Sequence, residues 1–163
     1  MTTLFLSLAA AALLVGVDQL LKWWAVQSLQ AGPFALIPGV FSFTYHENYG
    51  AAFGILQERR IFLVLFTLLV LGALCWVLVK GKVTDKVLIA ALTLIVAGGV
   101  GNLIDRIVRG YVVDFLYFEL INFPIFNFAD CCVCVGTGLV VLYLLVLEPR
   151  KKKQEPPSLP EGP

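Results

Sequence analysis

The chain has 163 residues, 60% of them hydrophobic and 14% charged, with a mean hydropathy of +0.90. A soluble domain is about half apolar and about a quarter charged, so this composition excludes an ordinary soluble core and makes lipid part of the solvent. The net charge of +1 excludes a strong overall field for nucleic acid, so what matters is where the charges sit. Four runs approach the roughly 20 apolar residues that a membrane-spanning helix needs. The first covers about 4–24; Asp18 and Lys22 interrupt it, and Trp23 and Trp24 close it where an interfacial aromatic belt is expected. Its apolar start has the length of a secretory signal, but no basic residue precedes it and no small-residue cleavage site follows, so a retained anchor is expected. The second run, about 61–79, carries no charge; the third covers about 87–104 and the fourth about 130–147. All four are read as helices, because lipid offers no partner to an open strand's backbone, and none shows the alternation of a barrel strand. Residues 1–149 are thus expected to form one four-helix membrane domain. A tail at 150–163, basic and then rich in Pro and Glu, is expected to be disordered.

The basic residues set the expected orientation. Lys80, Lys82 and Lys86 lie between spans two and three, and Arg150, Lys151, Lys152 and Lys153 follow span four. Both groups should be cytoplasmic by the positive-inside rule, which places both chain ends inside. Arg59, Arg60, Arg106 and Arg109 fall on the outer side, against the rule, but the lysine clusters outweigh them.

Ionisable groups within or beside spans are costly and mark candidate sites. Here they collect at one depth: Asp18 and Lys22 near the outer end of span one, Asn102, Asp105 and Arg106 at the outer end of span three, Asn127 and Asp130 at the start of span four. Asp114 lies in the outer loop between spans three and four. Asp18 and Lys22 share a helix face at i, i+4 and can pair, which suits structural support. Gly98, Gly99 and Gly101 suit close helix packing. Asn102 and Arg106, again i, i+4, could present an amide and a guanidinium to one point. Asp130 reads equally as a helix N-cap, and Asp114 as a partner of Arg106 or Arg109. Together the two aspartates suggest more. Carboxyls brought close cannot both ionise, so one keeps its proton and can polarise a carbonyl while the other takes a proton from water. His46, the only histidine, has no nucleophile pattern around it, and no cluster has zinc-ligand spacing.

The runs DQLLK (18–22), NYGAAFG (48–54), GGVGNLIDR (98–106), VVDF (112–115) and FNFAD (126–130) resemble, in order, the motif set of the bacterial lipoprotein signal peptidases, the type II signal peptidases. The resemblance implies an all-α integral membrane fold of four spans with a small periplasmic β-cradle around 39–54. It also implies a short amphipathic periplasmic loop helix, abbreviated here because the 114–130 loop is short. The implied activity is an aspartic endopeptidase that cuts prolipoproteins on the amino side of a diacylglyceryl-modified cysteine, with Asp114 and Asp130 as the dyad. Asp18, Lys22, Asn48, Gly50, Asn102, Asp105, Arg106 and Asn127 would line or support the site, with Asn48, Asn102 and Arg106 holding substrate backbone or scaffolding the dyad. The implied partners are prolipoproteins, phospholipids and cyclic peptides of the globomycin type. No metal, cofactor or nucleic acid is expected, a monomer suffices, and the location is a bacterial inner membrane with the site near its periplasmic face.

Three other readings compete. Cys131 and Cys134 form a C-x-x-C with Cys132 between them, as in membrane thiol oxidoreductases, but the only other cysteine is Cys75 inside span two. A transporter would need a polar path through the inner halves of the spans, which are almost wholly apolar. A scaffold would explain the helices but not the clustered carboxylates.

Overall fold

A computed structural model describes residues 2–50, 55–81 and 83–149. Lys82, the 51–54 part of the NYGAAFG run and the 150–163 tail lie outside the described residues, together with the expectations placed on them.

Four long helices dominate: α1 (Thr2–Ser28), α2 (Arg60–Val79), α3 (Lys86–Val108) and α4 (Phe128–Leu142), the last continued by a π-helical turn at Tyr143–Leu147. Each segment is long and apolar enough to cross a membrane. Helix α2 buries Leu63 and Leu71 and leaves Ile61, Leu65, Leu69 and Val79 exposed, as a lipid-facing surface does. Helix α3 is the hub, packing most extensively on α4, then on α1 and α2. Lipid is as apolar as leucine, so this association depends on close packing rather than on the hydrophobic effect. Two glycines make it possible. A Cβ on Gly98 would run into the Ala129 carbonyl oxygen, and one on Gly136 would lie 2.7 Å from the Ala91 oxygen.

One end of the bundle carries a three-stranded antiparallel sheet ordered β1 (Phe34–Ile37), β2 (Phe41–Asn48), β3 (Val112–Phe118). Its third strand comes from the connection between α3 and α4, so the sheet draws on two loops rather than on 39–54 alone. Phe41 pairs with Phe118, His46 with Asp114 and Asn48 with Val112. The last turns of α1 and the residue after it form the floor of the sheet: Ala25 and Leu29 are buried against Val113 and Phe115, and the Trp24 ring meets Phe43 and Phe115 edge-on.

The loop helix expected between β3 and α4 is reduced to a single 3₁₀ turn, Glu119–Ile121, closed by Asn122 in the left-handed region. Strand β3 consumes the loop up to Phe118, and Phe126 folds back to exchange backbone hydrogen bonds with Leu116. One turn is all the remaining chain allows.

Candidate active site

Strand alternation in β3 turns Val113 and Phe115 onto α1 and leaves Val112 and Asp114 facing a cavity of about 500 Å³. Asp130, in the first turn of α4, faces the same cavity, as do Asn48, Asn102 and Arg106.

Three carboxamides hold the two carboxyls. Asn48 Nδ2 donates to Asp114 Oδ2 at 2.9 Å, and Asn127 Nδ2 donates to Asp114 Oδ1 at 2.6 Å. Asn102 Nδ2 donates to Asp130 Oδ1 at 2.8 Å. Asp130 Oδ2 accepts from the Asn127 backbone N–H, and Asn127 Oδ1 accepts from the Asp130 N–H, a reciprocal capping box. The N-cap of α4 is therefore Asn127, which corrects the alternative that Asp130 fills that position. Pairing of Phe126 with Leu116 keeps the chain extended through Asn127 (φ −133°), so Asp130 falls at the third helical position.

The orientation of Asn102 is enforced from behind. Lys22 Nζ (2.8 Å) and Asn127 Nδ2 (3.1 Å) both donate to Asn102 Oδ1, which leaves its NH₂ to turn toward Asp130. Lys22, fully buried, also bonds Asp18 Oδ2 at 3.0 Å and Asp105 Oδ2 at 3.2 Å, so three ammonium protons meet three acceptors. Asp18 Oδ1 accepts from the Ala129 N–H, capping α4 from α1. Asp105 accepts from Arg109 and from the Val113 N–H, which ties down the strand beside Asp114. Asp18, Asp105, Lys22 and Arg109 sum to zero charge, which is how a buried ionic cluster remains tolerable. Asp114 pairs with neither Arg106 nor Arg109, against the alternative raised from the sequence: Arg109 is spent on Asp105, and amides occupy both Asp114 oxygens. Arg106 donates to the Gly50 carbonyl at 2.9 Å and reaches the cavity beside Asn102. Among the described residues, no buried side-chain nitrogen or oxygen lacks a hydrogen-bond partner.

Burial, and next the neighbouring Asp130 charge, push the Asp114 carboxyl from its ordinary 3.8 up to about 7. The hydrogen bonds from Asn48 and Asn127 and the charge of Lys22 pull the other way and lose.

Some participants escaped the sequence reading. Gln19 donates to the Gly101 carbonyl and to Asp18; a polar residue inside an apolar run was the available signal. Arg60 donates to the Arg106 and Ile107 carbonyls, capping α3 from α2, and nothing in the sequence pointed to those acceptors. Glu47 accepts from Tyr49 and Tyr45, which hold its carboxyl below the usual range. All four cysteines are free; Cys134 lines the cavity, and Cys131 is half-buried.

Residues 10–146 match the family model described as Signal peptidase (SPase) II. The chain belongs to the signal peptidase II family. It is therefore a multi-pass membrane peptidase of the aspartyl class, and the thiol-redox, transporter and scaffold readings give way. The lipoprotein signal peptidase of Streptococcus thermophilus is 46% identical over 132 residues, 80% of this chain and 86% of that one. The lipoprotein signal peptidase of Clostridium tetani is 41% identical over 133 residues, 79% of this chain and 85% of its own. A solved bacterial membrane enzyme superposes with a TM-score of 0.84 at 34% identity, covering 92% of this chain and 93% of that structure's. The matched segment of this signal peptidase II spans every residue of the carboxyl–carboxamide framework, from Asp18 to Asp130.

Proposed function

We propose that this chain removes signal peptides from diacylglyceryl-modified prolipoproteins, cutting on the amino side of the lipidated cysteine, with Asp114 and Asp130 as the catalytic pair. The observation that carries the assignment is two electrostatically coupled carboxyls facing one cavity, with Asp114 raised to about 7. At neutral pH Asp114 holds a proton to donate to the scissile carbonyl oxygen, and Asp130 accepts one from the attacking water. Hydroxide adds to the carbonyl carbon; the tetrahedral intermediate collapses as the C–N bond breaks, Asp130 passes its proton to the leaving amine, and Asp114 regains one as the carboxyl product forms. The pair supplies both acid and base, so the step needs no cofactor. Asn48, Asn102 and Asn127 hold the carboxyls in place; Lys22, Asp18 and Asp105 lock those amides and β3; Gly50 and Arg106 fix the turn beside Asn48.

The substrate's signal helix and two acyl chains keep it in the bilayer, so its scissile bond stays near one interface. A cavity at the sheet end of the four helices meets it at that depth without extracting it. Lys80 and Lys86 at the opposite end support a bacterial inner membrane location with cytoplasmic termini and a periplasmic site. Cyclic peptides of the globomycin type would compete for the same cavity, and one chain supplies both carboxyls, so a monomer suffices.

The test is a gel-shift cleavage assay in liposomes on a diacylglyceryl-modified prolipoprotein. Wild type should cut, whereas Asp114→Asn and Asp130→Asn should each lose about 10²- to 10⁴-fold in rate. Near-normal cleavage by either folded variant would remove that residue from the pair.

A further inference from the structure

The polar side chains around the two carboxyls are largely spent on the framework: Asn48, Asn102 and Arg106 all have protein acceptors, and at the far rim Tyr117 donates to Asn122. Gln57 differs. It lines the cavity, is exposed, and makes no hydrogen bond to any described residue. Its seat is nevertheless tightly built. Leu56 (φ 58°) and Glu58 (φ 62°) on either side lie in the left-handed region, which bulky non-glycine residues rarely adopt. Such conformations persist only where the surroundings impose them, and they cluster at functional sites. Gly50 packs closely against this turn. A Cβ there would lie 2.7 Å from the Ile55 carbonyl oxygen and 3.4 Å from the Gln57 nitrogen. Gly50 is itself fixed, its N–H donating to Asn48 Oδ1 and its carbonyl accepting from Arg106. The segment carrying Gln57 thus lies against the glycine that bonds the same Asn48 that holds Asp114.

A peptide cut at the end of a membrane-embedded signal helix must be extended at the scissile bond. Its N–H and C=O groups then lose their intrahelical partners at a depth where water is scarce, and each unpaired group is costly. A carboxamide donates and accepts, which matches a backbone amide. We infer that Gln57 is a substrate-positioning residue of this peptidase, pairing with a peptide-backbone amide beside the scissile bond. The inference rests on the reading of Asp114 and Asp130 as the catalytic pair.

The experiment uses the full chain in liposomes and synthetic lipopeptides carrying diacylglyceryl-cysteine. In these, each peptide bond flanking the scissile one on either side is replaced in turn by an ester, which removes one N–H. Wild type, Gln57→Leu and Asp130→Asn are compared. Gln57→Leu should lower kcat/KM on the all-amide substrate roughly five-fold, through KM, as expected for one lost net hydrogen bond. One ester position should cost wild type a similar factor and cost Gln57→Leu nothing further, a non-additivity that a purely structural role would not produce. Equal cleavage of the amide substrate by Gln57→Leu and wild type overturns the inference, as do fully additive losses at every position. If instead Asp130→Asn cleaves normally, the catalytic assignment itself falls, a failure distinct from the other two.

Discussion

Replacing Asp114 by Asn should lower cleavage about 10²- to 10⁴-fold and yet gain stability relative to wild type as pH rises. The Asp114 carboxyl sits at about 7 in the fold, against an ordinary 3.8. Between those values the folded chain binds a proton that the unfolded chain has released, so stability falls as pH rises through that window and the loss is complete above it. At 1.36 kcal/mol per pKa unit, the cost to wild type is about 2 kcal/mol near pH 5 and about 4 kcal/mol near pH 8. Asn cannot titrate, so its advantage should grow by roughly 2–3 kcal/mol across that interval. A fixed penalty offsets part of it: both Asp114 oxygens accept amide protons from Asn48 and Asn127, and a carboxamide offers only one oxygen. The lost bond costs about 1–3 kcal/mol at every pH. Denaturation in detergent micelles at several pH values would measure the gap between variant and wild type. A gap that stays flat from pH 5 to 8 would refute the claim that Asp114 is forced to hold its proton by burial and Asp130.

Lys22→Met should destabilise the fold by about 3–5 kcal/mol, because Asp18 and Asp105 would stay buried with only Arg109 to balance them. Adding Asp18→Asn should restore part of the loss in the same denaturation assay; no recovery would show that charge balance is not the cause. Gly136→Ala should cost about 1–3 kcal/mol, since its Cβ meets the Ala91 oxygen and Ile95 across the α3–α4 seam. Gly138→Ala, with nothing within 4 Å, serves as its neutral control. Cys131→Ser/Cys134→Ser should cleave lipidated substrate at the wild-type rate, and a loss of turnover would bring thiol chemistry back into consideration.

The sequence by itself determined the four spans and the clustering of polar residues at one end. The bilayer demands long apolar runs, and a charge inside one stands out whatever the fold. The i, i+4 pairing of Asp18 with Lys22 was legible for the same reason, since helix periodicity alone puts the two on one face. Partnerships across the chain were not legible. That Lys22 reaches Asn102 and Asp105, that Asn48 from β2 holds Asp114, and that Asn127 rather than Asp130 caps α4 all depend on how α1, α4 and the sheet dock on α3. That docking is set by glycine-sized gaps and by the pairing of Phe126 with Leu116, contacts between segments far apart in sequence. The same burial lifts Asp114 to about 7, because only the folded chain removes its carboxyl from water and places it beside Asp130.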